Sequence, residues 1–212
     1  MEDNLGHIVY SVNVLEFVTV AGEYVAFIER SDSIEKDEYL HKIQKLLPLL
    51  YLKGCLLPEV ESVNDEFVEK FVTEGTWEYY EQIVAKKLGS LNDYPEVFEQ
   101  SSSFAEELVS SNISENLADI YQDIKDFISA YRIGTTEIMN DALWECKQHF
   151  EQYWGQKALN ALRAVHNILY NKNQIAGDED IYPENENDQN SNTKNWIITK
   201  MQQQYKKDYD EE

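Results

Sequence analysis

The sequence predicts an all-α chain, folded as a single-domain helical bundle of about five to seven helices. Three observations carry that expectation. Between Asn112 and about Tyr170 almost every apolar residue falls on a helical period, in three consecutive amphipathic segments. The region Ile8 to Arg30 is apolar around most of a helical circumference, as in a helix surrounded by others. Glycine and proline fall where such helices would stop, at Pro58, Gly89 and Gly134.

Taken in order, helix one spans about Ile8 to Arg30. Val14, Phe17, Val18, Ala21, Val25 and Ile28 lie on one side, and Leu15, Tyr24 and Phe27 broaden the apolar surface, so this helix is expected at the centre. Asn13, Glu16 and Glu23 interrupt it too often for a membrane span. Ser31-Asp32-Ser33 breaks the helix and offers caps for the next. Helix two starts near Ile34 with Leu40, Ile43, Leu47 and Leu50 as its seam. Pro48 removes a donor and crowds the carbonyl of Gln44, which predicts a kink or break there. Glu59 to Thr73 reads as an acidic, irregular surface connection. Helix three covers Thr76 to Leu88, with Trp77, Tyr80, Val84 and Leu88 in register and Gly89 as stop. The stretch Asn92 to Ser111 is a long connection, with a short helix over Ser103 to Val109 as its one candidate element.

The next segment, Ile113 to Tyr131, draws a clear stripe through Leu117, Ile120, Tyr121, Ile124, Phe127, Ile128 and Tyr131. Asn112 is placed to accept from the backbone N–H of Glu115, and Glu115 adds negative charge to the first turn. Gly134 supplies the stop and Thr135 or Thr136 the next cap. Met139, Leu143, Cys146, Phe150 and Tyr153 then follow at 4-3-4-3, the spacing of a bundle seam. That seam can close on its own chain or on another. Gly155 weakens or interrupts the helix by about 1 kcal/mol relative to Ala. Beyond it Ala158, Ala161, Leu162, Val165, Ile168 and Leu169 form a third stripe.

The runs NVLEFVTVAGEYVAFIE (Asn13 to Glu29), KLLPLLYLKGCLLPE (Lys45 to Glu59), ENLADIYQDIKDF (Glu115 to Phe127), NDAL (Asn140 to Leu143) and YWGQKALNALRAVH (Tyr153 to His166) resemble an uncharacterised bacterial family, domain of unknown function 5063. The resemblance covers roughly residues 8 to 170 and leaves out Leu91 to Ser111 and everything past Asn171. It implies a cytoplasmic, all-helical single domain, and it implies no catalytic residues.

The chain has 212 residues, 40 of them acidic and 18 basic, for a formal net charge of −22. Residues 1–171 form the expected helical domain, large enough to bury roughly 70% of its unfolded surface. Residues 172–212 turn to Asn, Asp, Glu and Gln. That composition is expected to stay disordered, apart from a candidate terminal helix through Trp196, Ile197, Ile198, Met201 and Tyr205. The acidity is not confined to this tail, because residues 1–171 alone hold 30 acids and 13 bases. Such a charge repels phosphate backbones and anionic lipid, which excludes nucleic acid and membranes as expected partners and leaves basic proteins and cations. The start Met1-Glu2-Asp3-Asn4 lacks the positive region of a secretion signal, so a cytoplasmic location with Cys55 and Cys146 as free thiols is expected.

Candidate chemistry is sparse. Asp119, Asp123 and Asp126, with Glu115, are spaced along one helix as carboxylates that ligate Mg²⁺ or Mn²⁺ would be. At about 100° per residue, however, Asp119 and Asp126 point away from Leu117, Ile124 and Phe127, which predicts a solvated acidic face. Cys146 and His149 stand one turn apart without the further ligands zinc requires. His166 lacks a neighbouring nucleophile, and no phosphate-cradling loop, nucleophile elbow or HExxH string occurs. Trp144 lies off the Met139–Leu143–Cys146 seam and is expected to be partly exposed, as an interface ring would be. The function expected on these grounds is a non-enzymatic protein-interaction module using Trp144, Asp119 and Asp126, with no cofactor. Two alternatives stand beside it: a metal-dependent hydrolase of nucleotides or phosphate esters, and an acidic nucleic-acid mimic that occupies a basic protein's groove.

Overall fold

Residues 7–64, 69–98 and 107–171 are described by a computed structural model. A 3₁₀ turn at Ile8–Tyr10 leads into α1 (Val12–Glu29), and a second at Ser31–Ser33 leads into α2 (Lys36–Cys55). A crossing, irregular in its described residues, then reaches α3 (Glu74–Leu88). A two-stranded antiparallel hairpin, β1 (Asp93–Phe98) and β2 (Glu107–Asn112), precedes α4 (Ile113–Ile133). The chain ends its described part with α5 (Thr136–His149), a π turn at Phe150–Trp154 and α6 (Gly155–Tyr170). The expected tail helix near Trp196 lies outside the described residues.

α4 is the axis of the fold. It packs against α1, α3, α5 and α6, and it buries residues from almost every direction, Ile113, Leu117, Ile120, Tyr121, Ile124, Phe127 and Ile128 among them. Phe17 of α1 meets Phe127 with ring centroids 5.3 Å apart and meets Trp154 at 6.2 Å. Buried phenols are satisfied by backbone carbonyls: Tyr24 donates to Leu117 at 2.9 Å and Tyr131 to Val9 at 2.7 Å. These bonds tie α1 and the first 3₁₀ turn to α4 and satisfy both hydroxyls within the core.

Helix boundaries follow their caps. Thr73 accepts from the Thr76 N–H to open α3, two residues earlier than the apolar period suggests. Thr135 accepts from Ile138 to open α5, and Gly134 takes φ +88°, the left-handed stop that glycine reaches without strain. At α4 the expected cap is replaced by other contacts, because the Asn112 side-chain amide donates to the Glu115 carboxylate at 3.1 Å and it is Asn92 Oδ1 that accepts from the first turn, at the Ser114 N–H, at 2.9 Å.

Four expectations are corrected. α2 runs through Pro48 without a break, since Ile43, Leu47 and Leu50 are wholly buried on both sides of it and their packing outweighs the local cost of about 3 kcal/mol. The described part of Ser103 to Val109, from Glu107 onward, is strand; pairing runs from Asp93 with Asn112 to Phe98 with Glu107, and the Ile113 N–H donates to Asn92 where the ladder meets α4. Gly155 does not interrupt a helix. The five-residue π turn before it widens one coil, so Trp154 is fully buried where the 4-3-4-3 spacing would place Tyr153, which is exposed. Among the described residues, finally, α1 is covered on only one side.

Candidate functional site

Asn116, Asp119, Asp123 and Asp126 follow one another along α4 at 3-4-3 and share one face. That face is not solvated. The expectation for Asp119 and Asp126 failed because pointing away from the apolar stripe leads to solvent only if nothing else packs there. Here α3, α5, the π turn and α6 supply a second layer.

Asp119 is a junction. Its Oδ1 accepts from the Trp77 indole N–H at 2.9 Å, and its Oδ2 accepts from the Tyr153 hydroxyl at 2.9 Å and pairs with Lys157 Nζ at 2.6 Å. Lys157 also donates to Asn116 Oδ1 at 3.4 Å, and the Asn116 amide donates to the Tyr94 hydroxyl. Burial lowers the Lys157 pKa, but its bond to Asp119 more than offsets this and the ammonium is held above its ordinary range. The Tyr153 phenol is raised by burial and by Asp119. The π turn makes this junction possible, since it turns Tyr153 outward toward Asp119 and Trp154 inward.

Asp126 and Asp141 do a different job. They hold the crossing between α2 and α3. Asp126 Oδ1 accepts from the backbone N–H groups of Phe71 and Val72, and Asp141 accepts from Val63 at 2.6 Å and from Asn64 at 3.2 Å. The Asn64 side chain adds 2.6 Å to Asp141, the Asn140 amide donates to the Glu61 carbonyl, and Lys147 donates to the Leu57 carbonyl at 3.0 Å and pairs with Glu59. In the described residues of the crossing, 56–64 and 69–73, backbone groups lack a helix or ladder to pair in, and polar side chains of α4 and α5 take that place. Burial raises the Asp126 carboxyl against the pull of its two backbone bonds, whereas at Asp141 burial is outweighed by the bonds from Val63, Asn64 and Asn140 and the pKa falls.

Asp123 accepts from or shares a proton with His149 Nδ1 at 2.7 Å, which raises the imidazole pKa against the opposing effect of burial. Cys146 is buried in the α4–α5 seam and joins no metal set. Among the described residues no group of three or more His, Cys, Asp or Glu side chains is placed to hold a metal ion. Nor is any described helix long and apolar enough to cross a membrane.

A surface open to a macromolecule is the outer face of α1 and α2, although the sequence pattern placed α1 at the centre. Lys53 Nζ meets Glu16 Oε2 at 2.6 Å, and this pair sets the two antiparallel helices side by side. On α1, Val12, Leu15, Thr19, Gly22 and Ala26 recur at 3-4-3-4 and none is buried; Val12 is 70% exposed and Leu15 46%. The Thr19 hydroxyl is turned back onto the Leu15 carbonyl at 2.8 Å, so the stripe stays free of a competing donor. Leu49 and Leu52 on α2 and Leu56 at its C-cap continue the stripe, all exposed, and Lys42 and Lys45 precede them at the same spacing. At the Arg30 end the two helices part around a groove of about 510 Å³ with Phe27, Ile34, Leu46 and Leu49 in its walls and Arg30, Lys42 and Lys45 around it. The signal was present in the sequence as a helix apolar nearly all round; what it could not show is that no other described residue covers one side. Trp144 is partly exposed as expected, at 37%, and stands on α5.

Comparison with known proteins agrees with this architecture. The family described as Domain of unknown function (DUF5063) matches residues 8–171. The crystal structure of protein BF1032 from Bacteroides fragilis is 43% identical, covers 77% of this chain and 96% of its own, and superposes with a TM-score of 0.70. No curated protein matches.

Proposed function

For a chain that belongs to the DUF5063 family, we propose that function lies in binding another protein, without chemistry of its own, in the bacterial cytoplasm. One observation carries this reading: Val12, Leu15, Leu49, Leu52 and Leu56 stand exposed in register on two adjacent helices. Scattered exposed aliphatics need no explanation, but a contiguous patch does. Covering each of these half-exposed side chains would yield on the order of 1 kcal/mol from apolar area alone. The carboxylates that would have served a hydrolase are engaged with their own chain, at Trp77, Tyr153 and Lys157 for Asp119 and at the crossing backbone for Asp126. The net charge of −22 argues against nucleic acid and anionic lipid as the bound species.

The test compares capture by the wild-type chain and by a Leu15→Glu, Leu52→Glu double variant at moderate salt. A protein bound by the first and lost by the second supports the reading. Equal capture by both, or turnover of a phosphate ester abolished by Asp119→Asn, would sink it.

A further inference from the structure

The geometry points to a second copy of the chain as the occupant of the α1–α2 face, docked across a two-fold axis with the two faces antiparallel. This rests on the reading of that face as a protein-binding surface, and three features of the face select its partner.

The first is self-complementarity along its length. Val12, Leu15, Leu52 and Leu56 project at one end, while the groove of about 510 Å³ opens at the other, next to Phe27 and Leu46. From Val12 to Arg30 is about 27 Å at 1.5 Å per residue, enough to keep projection and groove apart. A two-fold axis through the middle places each copy's projecting end over the other's groove, and such an isologous contact closes on itself.

The second is spacing. α1 presents residues 12, 15, 19, 22 and 26, and α2 with its C-cap presents 38, 42, 45, 49, 52 and 56, both on the 3-4 pattern by which helices interdigitate at shallow angles. The middle of the α1 stripe is small, and an added Cβ at Gly22 would meet nothing within 4 Å. Leucines from an opposed α2 have room there.

The third is charge. The face carries Glu16, Glu23 and Glu38 against Arg30, Lys42, Lys45 and Lys53, near balance in a chain whose net charge is −22. Two such chains repel almost wherever else they meet, and a basic partner would be drawn to the rest of the surface in preference to this face. The arrangement suits two equally acidic bodies that touch where neither is acidic.

Sedimentation of the full chain tests this, from about 1 to 200 µM and at low and high salt, where the screening length falls from about 30 to 3 Å. The expected result is a reversible dimer that tightens as salt rises, because the remaining repulsion is screened while the apolar contact is not. Leu15→Glu with Leu52→Glu should weaken dimerisation at least tenfold and leave the melting temperature at low concentration unchanged, since both side chains are exposed in the single chain. Trp144→Glu, on α5, should leave the dimer intact. A wild-type chain that stays monomeric throughout, or a dimer that survives the double substitution, overturns the inference. If the wild type is monomeric yet the double variant loses a different captured protein, the interaction reading stands and only the second copy is ruled out as occupant.

Discussion

Asp126 Oδ1 lies 2.7 Å from the Phe71 N–H and 2.9 Å from the Val72 N–H, so one buried oxygen terminates the crossing between α2 and α3. Replacement by Ala leaves both donors without a partner, at about 1–3 kcal/mol each in a buried setting. Asp126→Ala should therefore cost roughly 2–6 kcal/mol, read as a lower urea midpoint with little change in slope, and it should admit protease at the crossing before global unfolding. A loss below 1 kcal/mol would show that the crossing holds without this oxygen.

The two clamp carboxylates should respond to acid in opposite directions. Asp141 has a lowered pKa, so its contribution is present above the unfolded value of about 3.9 and is lost as pH falls through the lower folded value. Asp126 has a raised pKa, so its contribution is complete below about 3.9 and falls as pH rises through the folded value. Between roughly pH 3 and 6 the stability advantage of wild type over Asp141→Asn should grow, and that over Asp126→Asn should shrink. Parallel curves for the two variants would contradict the assignment.

His149 sets the neutral range. Its pKa is raised, with the Asp123 bond as the main cause, so the stabilisation is full below the unfolded value of about 6.5 and is lost as pH rises through the folded value. The melting temperature should decline from about pH 6 to 8, and His149→Gln should flatten that decline.

Two helical glycines should behave oppositely when changed to Ala. At Gly22 an added Cβ meets nothing within 4 Å, so at low concentration the helix gains about 1 kcal/mol of propensity. At Gly54 the same Cβ would stand 3.0 Å from the Phe150 ring and 3.0 Å from Trp154, and overpacking of about 1–3 kcal/mol should prevail. Thermal unfolding of the two variants decides this.

Divalent cations offer a further check. A ligand at 100 times its dissociation constant stabilises by about 2.7 kcal/mol. With Asp119 and Asp126 committed to internal donors, Mg²⁺, Mn²⁺, Zn²⁺ and Ca²⁺ should raise the melting temperature by similar small amounts through screening. A selective rise from one ion, lost in Asp119→Asn, Asp123→Asn, would reopen the hydrolase reading.

What was legible in the sequence was whatever a single helix decides for itself. The α4 stripe, the stop at Gly134 and the cap at Thr135 depend on neighbours three or four residues away, and all are where the pattern put them. What was not legible depends on a second layer. Period alone shows that Asp119 turns from Leu117, but not that Trp77, 42 positions earlier, will be waiting there. Nor can composition reveal that α1, apolar nearly all round, keeps Val12 and Leu15 outside. Asp141 was passed over because a carboxylate beside an apolar seam looks like any surface acid until the crossing backbone is laid over it.

The π turn at Phe150–Trp154 has a consequence for chain length. Buried positions pass through it at Cys146, Trp154 and Ala158, with Phe150 half-buried between, a run of fours that an ordinary α-helix would carry steadily around its axis. One surplus residue, absorbed in the wide coil, keeps α5 and α6 facing the same way. Deleting one residue from 150 to 154 would remove the wide coil and leave Ala158, Ala161 and Val165 facing α2 and α4, whereas ideal coiling with all five residues kept would twist the whole of α6 by about 100°. The surplus residue thus leaves the α6 pattern in register with α5, and what it adds is the outward Tyr153 that meets Asp119.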